Sequence, residues 1–240
     1  MAIPTFVAAG TAAGDIIAIT PGLPAGIAAD DILLLFLETA NQAVTIPTPN
    51  GGTWTEVTDS PQGTGAAGGA SATRLTVFWS RYNGTQGAPT TDDPGDHVYG
   101  VILAFRGCIT SGNPWDVTSG DVQATADTTV EIPGDTTTVV DCLVVVATVD
   151  NQDSVSSTRY SAWTNADLAT VTEQSDGGTA AGNGGGIGVA TGEKAAVGAY
   201  TTTTATAFAS TTQGRMSVAL KPPAAAGATH PGWMSSRGWF

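Results

Sequence analysis

Two histidines, His97 and His230, limit the acid–base chemistry open to this chain. A hydrolytic triad needs a Ser or Cys activated by a base, usually His. His97 follows Asp96 and opens an apolar stretch, while His230 lies near the C-terminus, and no Gly-x-Ser-x-Gly elbow accompanies either. Glycoside cleavage instead needs two carboxyl groups facing each other across a cleft. The five Glu residues are Glu38, Glu56, Glu131, Glu173 and Glu193, with no two at i, i+2. A fold could bring Glu38 and Glu56 together, but solvated strand ends are the plainer reading.

Asp92-Asp-Pro-Gly-Asp96 and Asp150-Asn-Gln-Asp153 gather oxygen ligands in turns, as calcium prefers. The same residues cap turns by side-chain to backbone bonding, so no metal site is expected at either. Gly182-Asn-Gly-Gly-Gly-Ile-Gly188 has the glycine content of a phosphate loop but lacks the following Lys and helix. No cofactor is expected. Trp54, Trp79 and Trp163 read as core, whereas Trp115, in Gly112-Asn-Pro-Trp-Asp116, is the best candidate for an exposed sugar-stacking face. Cys108 and Cys142 are the only thiols and read as free and buried, although a disulfide between them stays open.

These residues sit in a chain dominated by small side chains: Gly, Ala and Thr fill 106 of 240 positions. Charged residues are only 12%, and the net charge is −13. Such a chain repels phosphate backbones and anionic bilayers, so nucleic acid and membrane are not expected partners. The longest apolar run, residues 32–37, is far shorter than the roughly 20 residues of a spanning helix. The N-terminus has neither the cationic start nor the apolar core of a secretory signal, which implies synthesis in a cytoplasm.

Helical periodicity is nearly absent, while short β-branched and aromatic runs recur between Gly, Pro, Asn and Asp clusters. The pattern predicts an all-β, antiparallel sandwich of about 10–12 strands. The clearest strands are 32–37, 53–58, 74–81, 97–106, 128–132, 142–149, 169–173, 187–191, 200–208 and 216–221. Runs 32–37, 101–105 and 143–147 are apolar on both faces and should lie in sheet centres. Strands 75–80 and 216–221 alternate, as half-exposed strands do. The glycine-rich stretches 63–70 and 176–186 are expected to be surface hairpin tips.

The chain also repeats itself. Asp31-Ile-Leu-Leu-Leu-Phe-Leu-Glu-Thr-Ala-Asn-Gln42 parallels Asp141-Cys-Leu-Val-Val-Val-Ala-Thr-Val-Asp-Asn-Gln152, and Trp54-Thr55 parallels Trp163-Thr164. Two related halves, about 15–108 and 128–222, are therefore expected within one body covering 1–222. Pro222-Pro223 then ends the last strand and begins an extended arm, 223–240, whose last eight residues hold three aromatics.

The phrases Asp31-Ile-Leu-Leu-Leu-Phe-Leu37, Gly52-Thr-Trp-Thr55, Arg74-Leu-Thr-Val-Phe-Trp79, Ala104-Phe-Arg-Gly-Cys108, Gly112-Asn-Pro-Trp-Asp-Val117, Gly182-Asn-Gly-Gly-Gly-Ile-Gly188 and Met216-Ser-Val-Ala-Leu-Lys-Pro222 carry a resemblance that covers about residues 4–222. Together they make the chain similar to jelly-roll-like virion surface proteins of tailed bacteriophages. The resemblance implies a fold and a virion setting, with capsid decoration or a tail-associated part as the role, and no active site.

The expected function is thus a non-enzymatic structural protein, chiefly a capsid decoration or cement subunit, assembled in the host cytoplasm and placed on the virion. Its partners would be the major capsid protein or tail proteins, and further copies of itself in a homo-oligomer. Trp233, Met234, Trp239 and Phe240 are the expected anchors of the arm, because buried aromatics carry most interface energy. The alternatives are a receptor- or glycan-binding tail adhesin contacting a host-surface glycan through Trp115, and a carbohydrate-active enzyme.

Overall fold

The computed structural model describes residues 2–45 and 48–224. Most of the predicted arm, including His230, Trp233, Met234, Trp239 and Phe240, lies outside the described residues. Every regular element among the described residues is a β-strand.

The first sheet contains β1 (Thr5–Ala9), β2 (Ala13–Asp15), β3 (Ile32–Thr39), β4 (Thr55–Glu56), β5 (Gln62–Thr64), β6 (Thr73–Arg81) and β7 (Val98–Arg106). The 115–220 region supplies β8 (Trp115–Ile132), β9 (Asp135–Thr137), β10 (Cys142–Asp150), β11 (Tyr160–Thr164), β12 (Ala169–Thr179), β13 (Gly185–Lys194), β14 (Gly198–Tyr200) and β15 (Thr203–Leu220). Fifteen strands exceed the expected number because β2, β4, β5, β9 and β14 span only two or three residues each. In the other direction, the two strands expected at 200–208 and 216–221 are largely joined in the continuous β15.

The first sheet runs β1-β7-β3-β6-β4, with β2 on β7 and β5 on β6. The second runs β11-β15-β10-β13-β12, with β8 on β15, and β9 pairs with β14 in a small third sheet. All named pairings are antiparallel. The fold is an all-β antiparallel sandwich in which each main sheet takes its strands from one contiguous stretch of chain. Its centres share an arrangement, β7-β3-β6 in one sheet and β15-β10-β13 in the other. Trp54 and Trp163 do not share it: Trp54 precedes β4, which pairs with β6, whereas Trp163 lies on β11, which pairs with β15.

Strand geometry sends alternate side chains to opposite faces. Ile32, Leu34 and Phe36 of β3 meet Leu143, Val145, Ala147 and Val149 of β10 between the sheets, joined there by Leu103, Phe105, Val189 and Val218. The other residues of β3, Leu33, Leu35 and Leu37, face a second cluster completed by Ile19, Val44 and Trp54 from the preceding and following loops. On the far side of the second sheet, Val144, Val146 and Ala219 pack beneath Val130, Ile132, Ala205 and Ala207. That cover is the ribbon of β8 with the first part of β15, displaced from the rest by the register shift between Thr206 and Thr211. Both main sheets are therefore buried on two faces, which is why β3 and β10 are buried at every position and why the polar alternation of 75–80 and 216–221 does not mark exposed faces.

Asp31 pins the start of β3 to the end of β7, its two carboxylate oxygens accepting from Arg106 Nε at 2.9 Å and Nη2 at 2.6 Å. Cys108 and Cys142 are free, buried, and assigned to different clusters.

Candidate functional site

The inward face of β3 reads Ile32, Leu34, Phe36 and then Glu38, so the strand's periodicity carries a carboxylate into the end of the apolar core. Glu38 is 0% exposed. Thr73 Oγ1 donates to its Oε1 at 2.9 Å, and its Oε2 lies 2.8 Å from Nε2 of His97, which is also fully buried. His97 Nδ1 lies 2.8 Å from Asp96 Oδ1. A ring held between two carboxylates satisfies both only as imidazolium, which donates from both nitrogens.

Burial by itself would lower the His97 pKa, but the hydrogen bonds and charges of Glu38 and Asp96 outweigh it and raise it to about 9. Burial pushes the Glu38 carboxyl up to about 7, with His97 opposing the shift. Asp96 is lowered despite its own burial, because Asn183 and His97 donate to its carboxylate. Asn183 reaches Asp96 with its backbone N–H at 2.8 Å and its side-chain amide at 3.1 Å, docking the tip of the β12–β13 hairpin onto the start of β7.

A second buried cluster lies on the other face of β13. Arg159, 0% exposed, binds Asp150 through Nε at 3.1 Å and through Nη2, and donates to the carbonyls of Ser154 at 2.6 Å and Gln152 at 2.8 Å. Tyr160 donates its hydroxyl to Asp150 at 2.6 Å, and its phenol pKa is raised by burial and by that carboxylate. The Phe208 ring covers the guanidinium, 5.2 Å away.

Between the two clusters runs a strand nearly without side chains. A Cβ on Gly185 would overlap the Glu38 carboxylate, one on Gly186 the Arg159 guanidinium, and one on Gly188 the Tyr160 ring. Across the hairpin, a Cβ on Gly178 would also strike Arg159. The glycine-rich run 176–186, expected as a surface hairpin tip, is a tip only at 180–184: Asp176 to Thr179 pair with Gly188 to Gly185 as strand. Backbone approach from charged groups on both faces is the physical reason these glycines extend a strand rather than end one. Glu38 and Arg159 also interact electrostatically across this thin layer.

No family model, curated protein or solved structure matches this chain. Asp96–His97–Glu38 has the carboxylate–imidazole linkage of a catalytic relay, but the hydroxyl it reaches is that of Thr73, which is buried and donates to Glu38. Glu56 is not part of the cluster; it accepts from Ser60 Oγ at 3.0 Å. Asp150 of the expected oxygen-rich turn is engaged by Arg159 and Tyr160, and among the described residues no three His, Cys, Asp or Glu side chains gather as a metal site would require.

The expectation that Trp115 offers an exposed sugar platform is corrected: Trp115 is 7% exposed and packs edge-on against Trp79, with centroids 5.6 Å apart and an interplanar angle of 88°. Trp115 begins β8 and its ring enters the inter-sheet core. Trp54 is core as expected, and Trp163 donates to Glu173 at 2.7 Å.

Proposed function

We propose that this chain is a non-enzymatic structural protein of a tailed-phage virion, chiefly a capsid decoration or cement subunit and otherwise a tail-associated component. The observation that carries this reading is the engagement of the buried ionisable groups with one another. Glu38, His97, Asp150 and Arg159 are sealed at 0% exposure in clusters that tie loops to strands. Such groups brace a body; a substrate has no path to them.

The surface supports the same reading. β8 runs for 18 residues and, among the described residues, pairs only with β15, so its outer edge presents a long row of backbone groups. Ile16, Ile17 and Phe208 are about half exposed. Apolar burial at subunit seams would add stability to an assembled shell by mass action. In this reading the partners are capsid or tail proteins and other copies of the chain. Trp233, Met234, Trp239 and Phe240 act as the arm's anchors.

The test is incorporation. Full-length chain and a form ending at residue 222 are mixed with particles assembled without it, and the particles are then sedimented. The full-length chain is expected to co-sediment, while the truncated form stays folded and soluble. Equal co-sedimentation of both refutes the anchor, and failure of both refutes the virion role.

A further inference from the structure

We infer that the cavity beside Trp79 and Arg81 is a binding site for a pyranose carrying a carboxylate, the unit of an acidic polysaccharide. The cavity holds about 310 Å³ and is lined by Thr53, Thr55, Trp79, Arg81, Asn83 and Gln86. That volume is at the low end of ligand clefts and suits a single ring better than a long chain. No Asp or Glu lines it, in a protein of net charge −13.

The lining is built by the fold. Trp79 and Arg81, at i and i+2 on β6, share one face of the strand. Thr55 of β4 stands opposite Trp79 in register. Trp79 is held edge-on by Trp115, and Arg81 is held by its bonds to the carbonyls of Ile109 at 2.6 Å and Gly112 at 3.2 Å. Gln86, 3% exposed, exchanges hydrogen bonds with Ser80, and a Cβ at Gly52 would stand 2.8 Å from its amide. The site therefore needs little ordering before a ligand arrives, which removes one of the costs of binding.

The chemistry follows from these groups. The Arg81 guanidinium lies 6.0 Å from the Trp79 ring centroid and uses two of its five N–H donors on the two carbonyls. The remaining donors suit a carboxylate. The Trp79 ring, with Arg81 over it, adds an apolar wall against which a sugar ring can pack, while the hydroxyls of Thr53 and Thr55 can bond sugar hydroxyls. This inference does not depend on the virion role, since a chain that never joins a particle would still hold the sugar.

Titration calorimetry with oligogalacturonate, glucuronate and glucose, on the full chain, tests it. The two uronates are expected to bind, and glucose roughly tenfold more weakly. Thr55→Trp, at an exposed position facing the cavity, is expected to abolish binding with the melting temperature unchanged. Arg81→Gln is expected to remove the preference for uronate over glucose. Absence of uronate binding, equal binding of glucose, or undiminished uronate binding by Thr55→Trp overturns the proposal. A preference that persists in Arg81→Gln overturns the assignment of the carboxylate to Arg81.

Discussion

Gly185 and Glu38 occupy the same space: the carboxylate lies where a Cβ of residue 185 would stand. Glu38 is fully buried, so the overlap cannot be relieved into solvent. Gly185→Ala is therefore expected to destabilise the protein by roughly 1–3 kcal/mol, the ordinary range for overpacking a core. Gly112, with a φ of 66° and nothing near its missing Cβ, is the control; its Ala variant should cost about 1 kcal/mol from backbone strain alone. Urea denaturation of both variants measures the difference.

Arg159 and Asp150 provide a second test, because removing one member of a buried pair strands the other. Arg159→Met is expected to cost about 3–5 kcal/mol. Adding Asp150→Leu should restore part of that loss, so the double variant costs less than the two single changes together. Additive losses in a double-mutant cycle would mean the pair is not coupled.

Stability should fall as pH rises from about 5 to about 9. The folded-state pKa of His97 is raised to about 9 from a usual 6.5, so its contribution is complete below 6.5 and is lost as pH rises through 9. Glu38 is raised from 4.5 to about 7, so the folded state also holds its proton more tightly, and this favours the same low-pH side. Asp96 acts oppositely: its lowered pKa gives stability that is lost only as pH falls below the usual carboxylate range. Folding thus takes up protons between pH 5 and 9, at about 1.4 kcal/mol per pH unit for each proton. His97→Gln should remove the histidine's share of that slope and leave the share of Glu38, whose carboxyl loses the partner that opposes its upward shift, as measured by urea midpoints at pH 6, 7.5 and 9.

The thiols should be silent until the protein unfolds. Burial pushes Cys108 up to about 12 and Cys142 up to about 11, leaving little thiolate at pH 8. A thiol-specific disulfide reagent should titrate no cysteine in native protein and two in urea. Fast native reaction of either would contradict its burial.

The sheet centres were legible because 32–37, 101–105 and 143–147 are short, apolar at successive positions and bounded by turn residues, as strands covered on both faces are. β8 was visible only at 128–132, since Thr, Asp and Ala at an exposed edge carry no burial signal. The buried clusters were harder still. Glu38 and His97 are 59 residues apart, and only the register of β3 against β7 brings them together. The available clue was local: a carboxylate continuing the inward alternation of Ile32, Leu34 and Phe36, with a second clue in glycines too many for one turn. Trp115 carried no such clue: its neighbours Pro114 and Asp116 are turn-forming residue types, yet Trp115 begins β8 and its ring enters the inter-sheet core.

The central claim, that this sandwich serves by adhering to a particle, is tested most directly by a reconstruction of phage particles assembled with and without the chain. The account predicts added density on the outer shell or tail of the particle, repeating with its symmetry, into which the two-sheet body fits. Identical maps from both preparations, with the chain left in the soluble fraction, would contradict it.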